Sequence, residues 1–373
     1  MPIEDAQEMR RWLGRRPLIA ISVLAAGLLT VTVLAHEGLA QEAGAPAPAS
    51  TTTPIEITAT PIKHFTRGGL SAEKRFGKLE FRGGLLLSSP AKIFGGLSGI
   101  VIEPDGKRFM AVSDETGWLT AEIVYDGGAP SGIRNARMGP IRGIGGRTLD
   151  KKRELDAEAI TFLDGNLTRG TVLIGFERIH RIAKFPVIDG VLQNPVGNVK
   201  LPPEAQRMRQ NKGLEAVTVM QGGTYKGSII AFSERFPDNP AQHTGWLWVK
   251  GEPQRLGFPN IGEFDVTDAT SLADGTLLIL ERRFRWTEGV KMRIRRFPAD
   301  QVKAGALMQG DILIEADLTS EIDNMEGLTW HRSPAGEIIL TLISDDNFNH
   351  FLQRTLLLQF ALIGEGKAAA VKP

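Results

Sequence analysis

Cysteine is absent from all 373 residues. That excludes disulfides, thiolate metal sites, a cysteine nucleophile and a lipidated cysteine anchor. A charge bias is missing too: 44 Lys and Arg stand against 43 Asp and Glu, a formal net charge of +1. No overall field favours nucleic acid or an acidic partner, so electrostatic function has to come from local clustering. Several catalytic signatures are also absent. The chain has no Gly-x-Ser-x-Gly elbow and no His-Glu-x-x-His motif, which disfavours the usual α/β serine hydrolases and zinc proteases. The glycine-rich "IRGIGGRTLD" from Ile141 lacks the Gly-Lys-Ser/Thr ending of a nucleotide loop and reads as a connection between structural units.

What is present begins with a basic N-terminus. Arg10, Arg11, Arg15 and Arg16 precede the uncharged run "PLIAISVLAAGLLTVTVLA", Pro17 to Ala35, and Gly38 and Ala40 offer a small-x-small cleavage site. This is the layout of an export signal. The run also approaches the ~20 residues that span a bilayer, so an uncleaved anchor over residues 17–35 is the rival reading. Both readings place the remaining chain in the periplasm or outside the cell, and the route, Sec or twin-arginine, stays open. Residues 1–40 are assigned to this segment, 41–77 to a Pro/Ala/Thr-rich linker and lead-in, 78–362 to a folded domain and 363–373 to a disordered tail.

A single unit recurs through the folded domain. "LSGIVIEPDGKRFMAVSDE" from Leu97, "AEAITFLDGNLTRGTVLIGFER" from Ala157, "LEAVTVMQGGTYKGSIIAFSER" from Leu214, "TDATSLADGTLLILERR" from Thr267 and "MEGLTWHRSPAGEIILTLISDD" from Met325 each pair two apolar strands across a glycine turn. With no convincing helical periodicity between them, such units predict an all-β fold, a β-propeller. Six blades are favoured, with five or seven open. The sixth would form from the strand at Lys78–Ser88 and the C-terminal "RTLLLQFAL". A β-sandwich is the competing architecture, but it does not require repeats in phase.

The repeat determines where the acids go. Ser98, Glu158, Glu215, Asp268 and Glu326 stand at the start of each first strand, and Asp114, Glu177, Glu234, Glu281 and Asp345 at the end of each second strand. In an antiparallel hairpin those two points share one edge. Radial repetition should then gather the carboxylates at one mouth of the central channel. Crowded carboxylates repel each other, and two remedies are open. One is a hard cation such as Ca²⁺, held by Asp114, Glu158, Glu215, Asp268, Glu326, Asp345 and Asp346. The other is a purely structural ring of ion pairs using Arg178, Arg235 and Arg282. Asp114 with Glu115, and Asp345 with Asp346, lack a neighbouring arginine and are the first places to expect calcium. The same three arginines suit an anionic substrate. His180 is a candidate acid or base, against the plainer reading of a histidine packed between blades. Glu215 is the other candidate catalytic group.

The segments "GGLSGI", "SDETGW", "DAEAITF", "FERIHRI", "NKGLEAV", "FDVTDATSLADGTLLILERRF", "NMEGLTW" and "SDDNFNHFLQRTLLLQF" resemble the bacterial phytase-like proteins, the family of esterase-like activity of phytase, over Lys78 to Leu362. The resemblance implies an exported propeller-like fold and hydrolysis of phosphoesters or esters. It brings no catalytic residues with it, so the site assignments stay with the repeat. Calcium-dependent phytases, which hold calcium and phosphate at acid-rich channel mouths, are an analogy of fold only. The expectation is an exported, monomeric hydrolase assisted by calcium and acting on a small anionic substrate. It has no nucleic-acid partner and touches a membrane only through the N-terminal segment, if that is uncleaved. The alternative is a non-catalytic envelope propeller that binds an anionic small molecule or a protein.

Overall fold

The computed structural model describes residues 52–364. The export signal or anchor over 1–40, the beginning of the expected linker and nearly all of the expected tail lie outside the described residues.

The described chain is all-β, a five-bladed propeller. Each repeat supplies the two inner strands of one blade. The innermost strands are Leu97–Ile102, Ala157–Gly165, Leu214–Val219, Asp265–Ser271 and Asn324–Arg332. Each packs against the innermost strands of two other blades, which closes the ring. The predicted hairpin turns are present: Gly106, Gly165, Gly223, Gly275 and Gly336 all hold positive φ, the conformation such turns demand. Between each pair of adjacent blades lies one apolar cluster. The interface between blades 1 and 2, for example, buries Met110, Val112 and Trp118 against Ile160, Val172 and Ile174. Full burial of such side chains is worth roughly 1.5–3 kcal/mol each, so the five interfaces are the core.

Five blades form, rather than the favoured six, because the strands expected to build a sixth complete the fifth. Leu79–Ser88 pairs with Thr355–Leu362, which pairs with Ile338–Asp345 in the same sheet. The lead-in is structured as well. Thr58–Ile62 adds a further strand beside Leu79–Ser88, and Thr53–Pro54 pairs with the outermost strand of blade 1. Pro54 and Pro61 are tolerated there because both lie on edge strands, where a missing N–H donor costs little. The loop from Ile141 connects blades 1 and 2, as its composition suggested.

Candidate functional site

One local irregularity organises the site. In every blade the pairing of the two inner strands slips by one residue near the channel mouth. The slip is a β-bulge, which leaves one residue of the innermost strand without a direct partner and re-aims its side chain. The bulged residues are Ser98, Glu158, Glu215, Thr267 and Glu326. On the adjoining strands, the residue just past the last equivalent pair is Asp114, Glu177, Glu234, Arg282 or Asp345. Immediately before the innermost strands come Gly96, Asp156 and Gly213, with Asp265 and Asn324 in the equivalent places of blades 4 and 5.

These side chains converge. Burial pushes Glu158 well above the ordinary carboxylate range, and the charges of Asp114, Asp156, Glu326 and Glu177 push it further. Glu215 is raised in the same way, first by burial and then by Glu158, Glu234, Glu177 and Glu326. Burial lifts Glu177 to about 7, although the backbone N–H of Gly213 donates to its Oε1 at 3.2 Å. Burial likewise lifts Glu234 to about 7 against the pull of Lys212, whose Nζ donates to it. Asp345 is raised by burial, Asp114 and Glu326. Groups on different blades thus feel each other's charge across one channel mouth.

Two tight carboxylate sets stand out on blades 2 and 3. Oxygens of Asp156, Glu158 and Glu177 lie within 4.8 Å of one another, and so do those of Glu177, Glu215 and Glu234. Glu177 belongs to both sets and is within hydrogen-bonding reach of Glu215 and Asp156. Two carboxyl groups at that range need a shared proton or a cation between them.

Blade 4 breaks the pattern. Sequence comparison placed Asp268 and Glu281 at the mouth, but the bulge falls one residue earlier, and Thr267 and Arg282 occupy those positions. Asp268 points to blade 5, where its Oδ2 accepts the Leu328 N–H at 2.7 Å while its Oδ1 accepts the Ala269 N–H at 2.8 Å. Blades 1, 2, 3 and 5 have Gly99, Ala159, Ala216 and Gly327 at this place, where an innermost strand abuts its neighbour. Asp268 is therefore a tie between blades. Glu281 is buried with Arg293, whose Nε donates to it at 2.7 Å, and with His243 at 3.3 Å.

Arg282 enters the mouth. Its Nη1 donates to Asn324 Oδ1 at 2.6 Å and its Nε lies 3.4 Å from Glu326 Oε1. Arg178 and Arg235 sit on the outer rim, tied to Asp156 and Asp265. Strand alternation accounts for this, because each follows a glutamate that points inward. Asp114 and Asp345 reach the mouth, but Asp114 and Glu115, first expected to lack compensation, have a lysine beside them. Lys152 Nζ bonds Asp114 and lies 3.2 Å from Glu115 and 3.3 Å from Asp156. Asp346 accepts from the N–H groups of Gly96 and Phe348 and from the Thr355 hydroxyl, and His350 Nδ1 lies 3.0 Å away. Asp346 therefore fastens the loop and does not face the channel set. His180 stacks where a Gly213 side chain would sit, with Nε2 3.4 Å from the Met208 carbonyl. Among the described residues it hydrogen-bonds no mouth carboxylate, so the packing reading fits its position.

Asp156, Lys152 and Lys212 were not singled out from the sequence. A signal existed for the first: Asp156 immediately precedes its innermost strand, in step with Asp265 of blade 4. The two lysines come from blade-connecting loops outside the repeat, so repetition could not reveal them.

The model of the family described as "Phytase-like: Esterase-like activity of phytase" matches residues 92–348. No curated protein matches the chain. Similar solved structures include an endo-arabinase from Bacteroides thetaiotaomicron, with 10% identity, TM-score 0.44 and coverage of 74% of this chain and 98% of that one. An alpha-L-arabinofuranosidase from Podospora anserina has 11% identity, TM-score 0.46 and coverage of 78% and 98%. A gluconolactonase from Xanthomonas campestris has 11% identity, TM-score 0.36 and coverage of 84% and 99%.

Proposed function

The chain belongs to the phytase-like family, and from that premise we propose that it hydrolyses phosphoesters or esters at the carboxylate-lined mouth, with calcium as its cofactor. The observation that carries the reading is the crowding of Glu177, Glu215 and Glu234 within 4.8 Å of one another. The donor set consists of carboxylate oxygen alone, which suits a hard cation that takes six to eight oxygen ligands. The local cations, Lys212 and Arg282, are too few to neutralise the set. Glu177 and Glu234 would hold the ion, with Glu215 beside it in the same set. When bound, calcium supplies the charge that relieves the acids and polarises a phosphoryl or carbonyl oxygen.

The remaining work falls to the chain's own side chains. Arg282, held by Asn324 and Glu326, presents a guanidinium to an anionic oxygen of the substrate. Glu215, with its pKa raised by burial and by its neighbours, can take a proton from water or return one to a leaving group. Arg178 and Arg235 on the rim would draw in an anion before it reaches the mouth. The N-terminal segment read from the sequence would place this chemistry outside the cytoplasm.

Turnover of 4-nitrophenyl phosphate and 4-nitrophenyl acetate, with calcium and after chelation, tests the reading. We expect calcium-dependent hydrolysis that falls by about 10²-fold or more in Glu215→Gln. Calcium stabilisation without turnover would support the binding propeller instead. Neither turnover nor stabilisation would leave a structural ring and overturn both.

A further inference from the structure

The central channel has a second end. Away from the mouth it holds a cavity of about 390 Å³, lined by the far halves of all five innermost strands and by the turns that follow them. The repeat decides what faces it. Three residues on from the bulged positions, about 10 Å further along each strand, stand Val101, Thr161, Thr218, Thr270 and Thr329, and all five line the cavity. Each threonine is at least nine-tenths buried. Among the described residues none of their hydroxyls hydrogen-bonds the protein, and none is sealed away from the cavity. Strand pairing does not use a hydroxyl, so each Oγ1 has to find its partner in the cavity. Valine would fill the same place without that need, as Val101 does in blade 1.

The lining narrows the class of occupant. It contains no carboxylate among the described residues, so nothing there favours a cation. Arg332 is exposed and its Nη1 donates to the Gly336 carbonyl at 2.9 Å, which leaves an anion no enclosed partner. Burial lowers His331 to about 4, so that ring is uncharged at neutral pH. A wholly apolar molecule would strand the threonine hydroxyls. Phe162 and Trp330, both half-buried, add aromatic surface, and the Trp330 indole is fixed by its Nε1, which donates to the Ser271 carbonyl at 2.8 Å. Hydroxyls that both donate and accept, beside aromatic rings, match a molecule with many hydroxyls and C–H faces. We propose that this end of the channel binds a small neutral polyhydroxy compound, a monosaccharide or polyol. The four threonines would exchange hydrogen bonds with its hydroxyls, and Phe162 and Trp330 would cover its C–H surface. The cavity is within the ~300–1,000 Å³ of small-molecule sites, and the exposed Pro104 and Arg332 mark its open side. The site is separate from the carboxylate mouth and does not depend on hydrolysis there.

Saturation-transfer NMR on the full chain tests this, with D-glucose as the cyclic probe and sorbitol as the open-chain one. Binding of at least one is expected at concentrations up to tens of millimolar. Thr218→Val with Thr270→Val removes two hydroxyls and no volume, and should weaken that binding about ten-fold or more. The single Thr218→Val, expected to weaken it about five-fold, serves if the pair disturbs the melting temperature. Glu215→Gln, at the mouth, should leave the affinity for the sugar unchanged. No transfer to either compound leaves the cavity to water and overturns the proposal. Unweakened binding in the valine variants, or binding lost in Glu215→Gln, places the sugar elsewhere and also overturns it.

Discussion

Blades 3 and 4 carry nearly the same words, "AFSER" and "ILERR", and put them to opposite uses. In blade 3, Glu234 faces the channel and Arg235 sits on the rim with Asp265. In blade 4, Arg282 faces the channel, and Glu281 is fully buried with Arg293, at 0% and 2% side-chain exposure. One residue of bulge placement separates the two outcomes. A glutamate in this repeat is thus a member of the crowded mouth or of a structural ion pair depending on register, not on residue type. The two environments also oppose each other electrostatically. Burial would push Glu281 up, but hydrogen bonds from His243 and Arg293 outweigh it and hold the carboxyl below its ordinary value. Glu234 is lifted to about 7 because burial outweighs the pull of Lys212 and Arg282.

The largest expected effect breaks the structural member. Glu281→Ala leaves Arg293 charged, buried and unpaired, and should cost about 3–5 kcal/mol in urea unfolding. A loss below ~1 kcal/mol would mean that the pair is not what holds this interface. The next effect separates the two sites by pH, in chelated protein. Glu177, lifted to about 7 from its ordinary 4.5, binds its proton more tightly folded than unfolded. Its contribution is complete below the unfolded value and lost as pH rises through about 7, an effect of up to about 3 kcal/mol. Glu281 has the reverse sign, with stability present above 4.5 and lost as pH falls through its lowered folded value. Melting temperatures across this range should show Glu177→Gln making the decline toward neutral pH shallower, with the remainder left to Glu234 and the other raised acids. An unchanged decline would mean that Glu177 is not raised. The smallest effect concerns Asp268. Asp268→Asn keeps one backbone acceptor and should cost about 1–2 kcal/mol while leaving any calcium-dependent melting shift intact. Loss of that shift would return Asp268 to the mouth.

Much of this was legible in the chain. The Asp-Gly turns and the apolar pairs around them were enough to find the hairpins, and repetition was enough to bring Glu158, Glu177, Glu215, Glu234 and Glu326 together. Blade count was less legible because the strand Leu79–Ser88 could equally begin a new sheet or finish the last one. The register of blade 4 was hidden in "VTDATS". Thr267 and Asp268 are both plausible polar neighbours of a mouth, and only the small residues at the matching places, Gly99, Ala159, Ala216 and Gly327, mark which one faces another strand. The rim lysines depended on loops, whose paths repetition does not constrain.

The fifth blade has a consequence for biogenesis. Its sheet joins the first long strand of the propeller, Leu79–Ser88, to the last, Thr355–Leu362. A chain emerging from a ribosome therefore carries an open row of blades until that last strand is free. Until that moment the early strand has a bare edge, and a truncated product would keep it permanently, open to pairing with another chain.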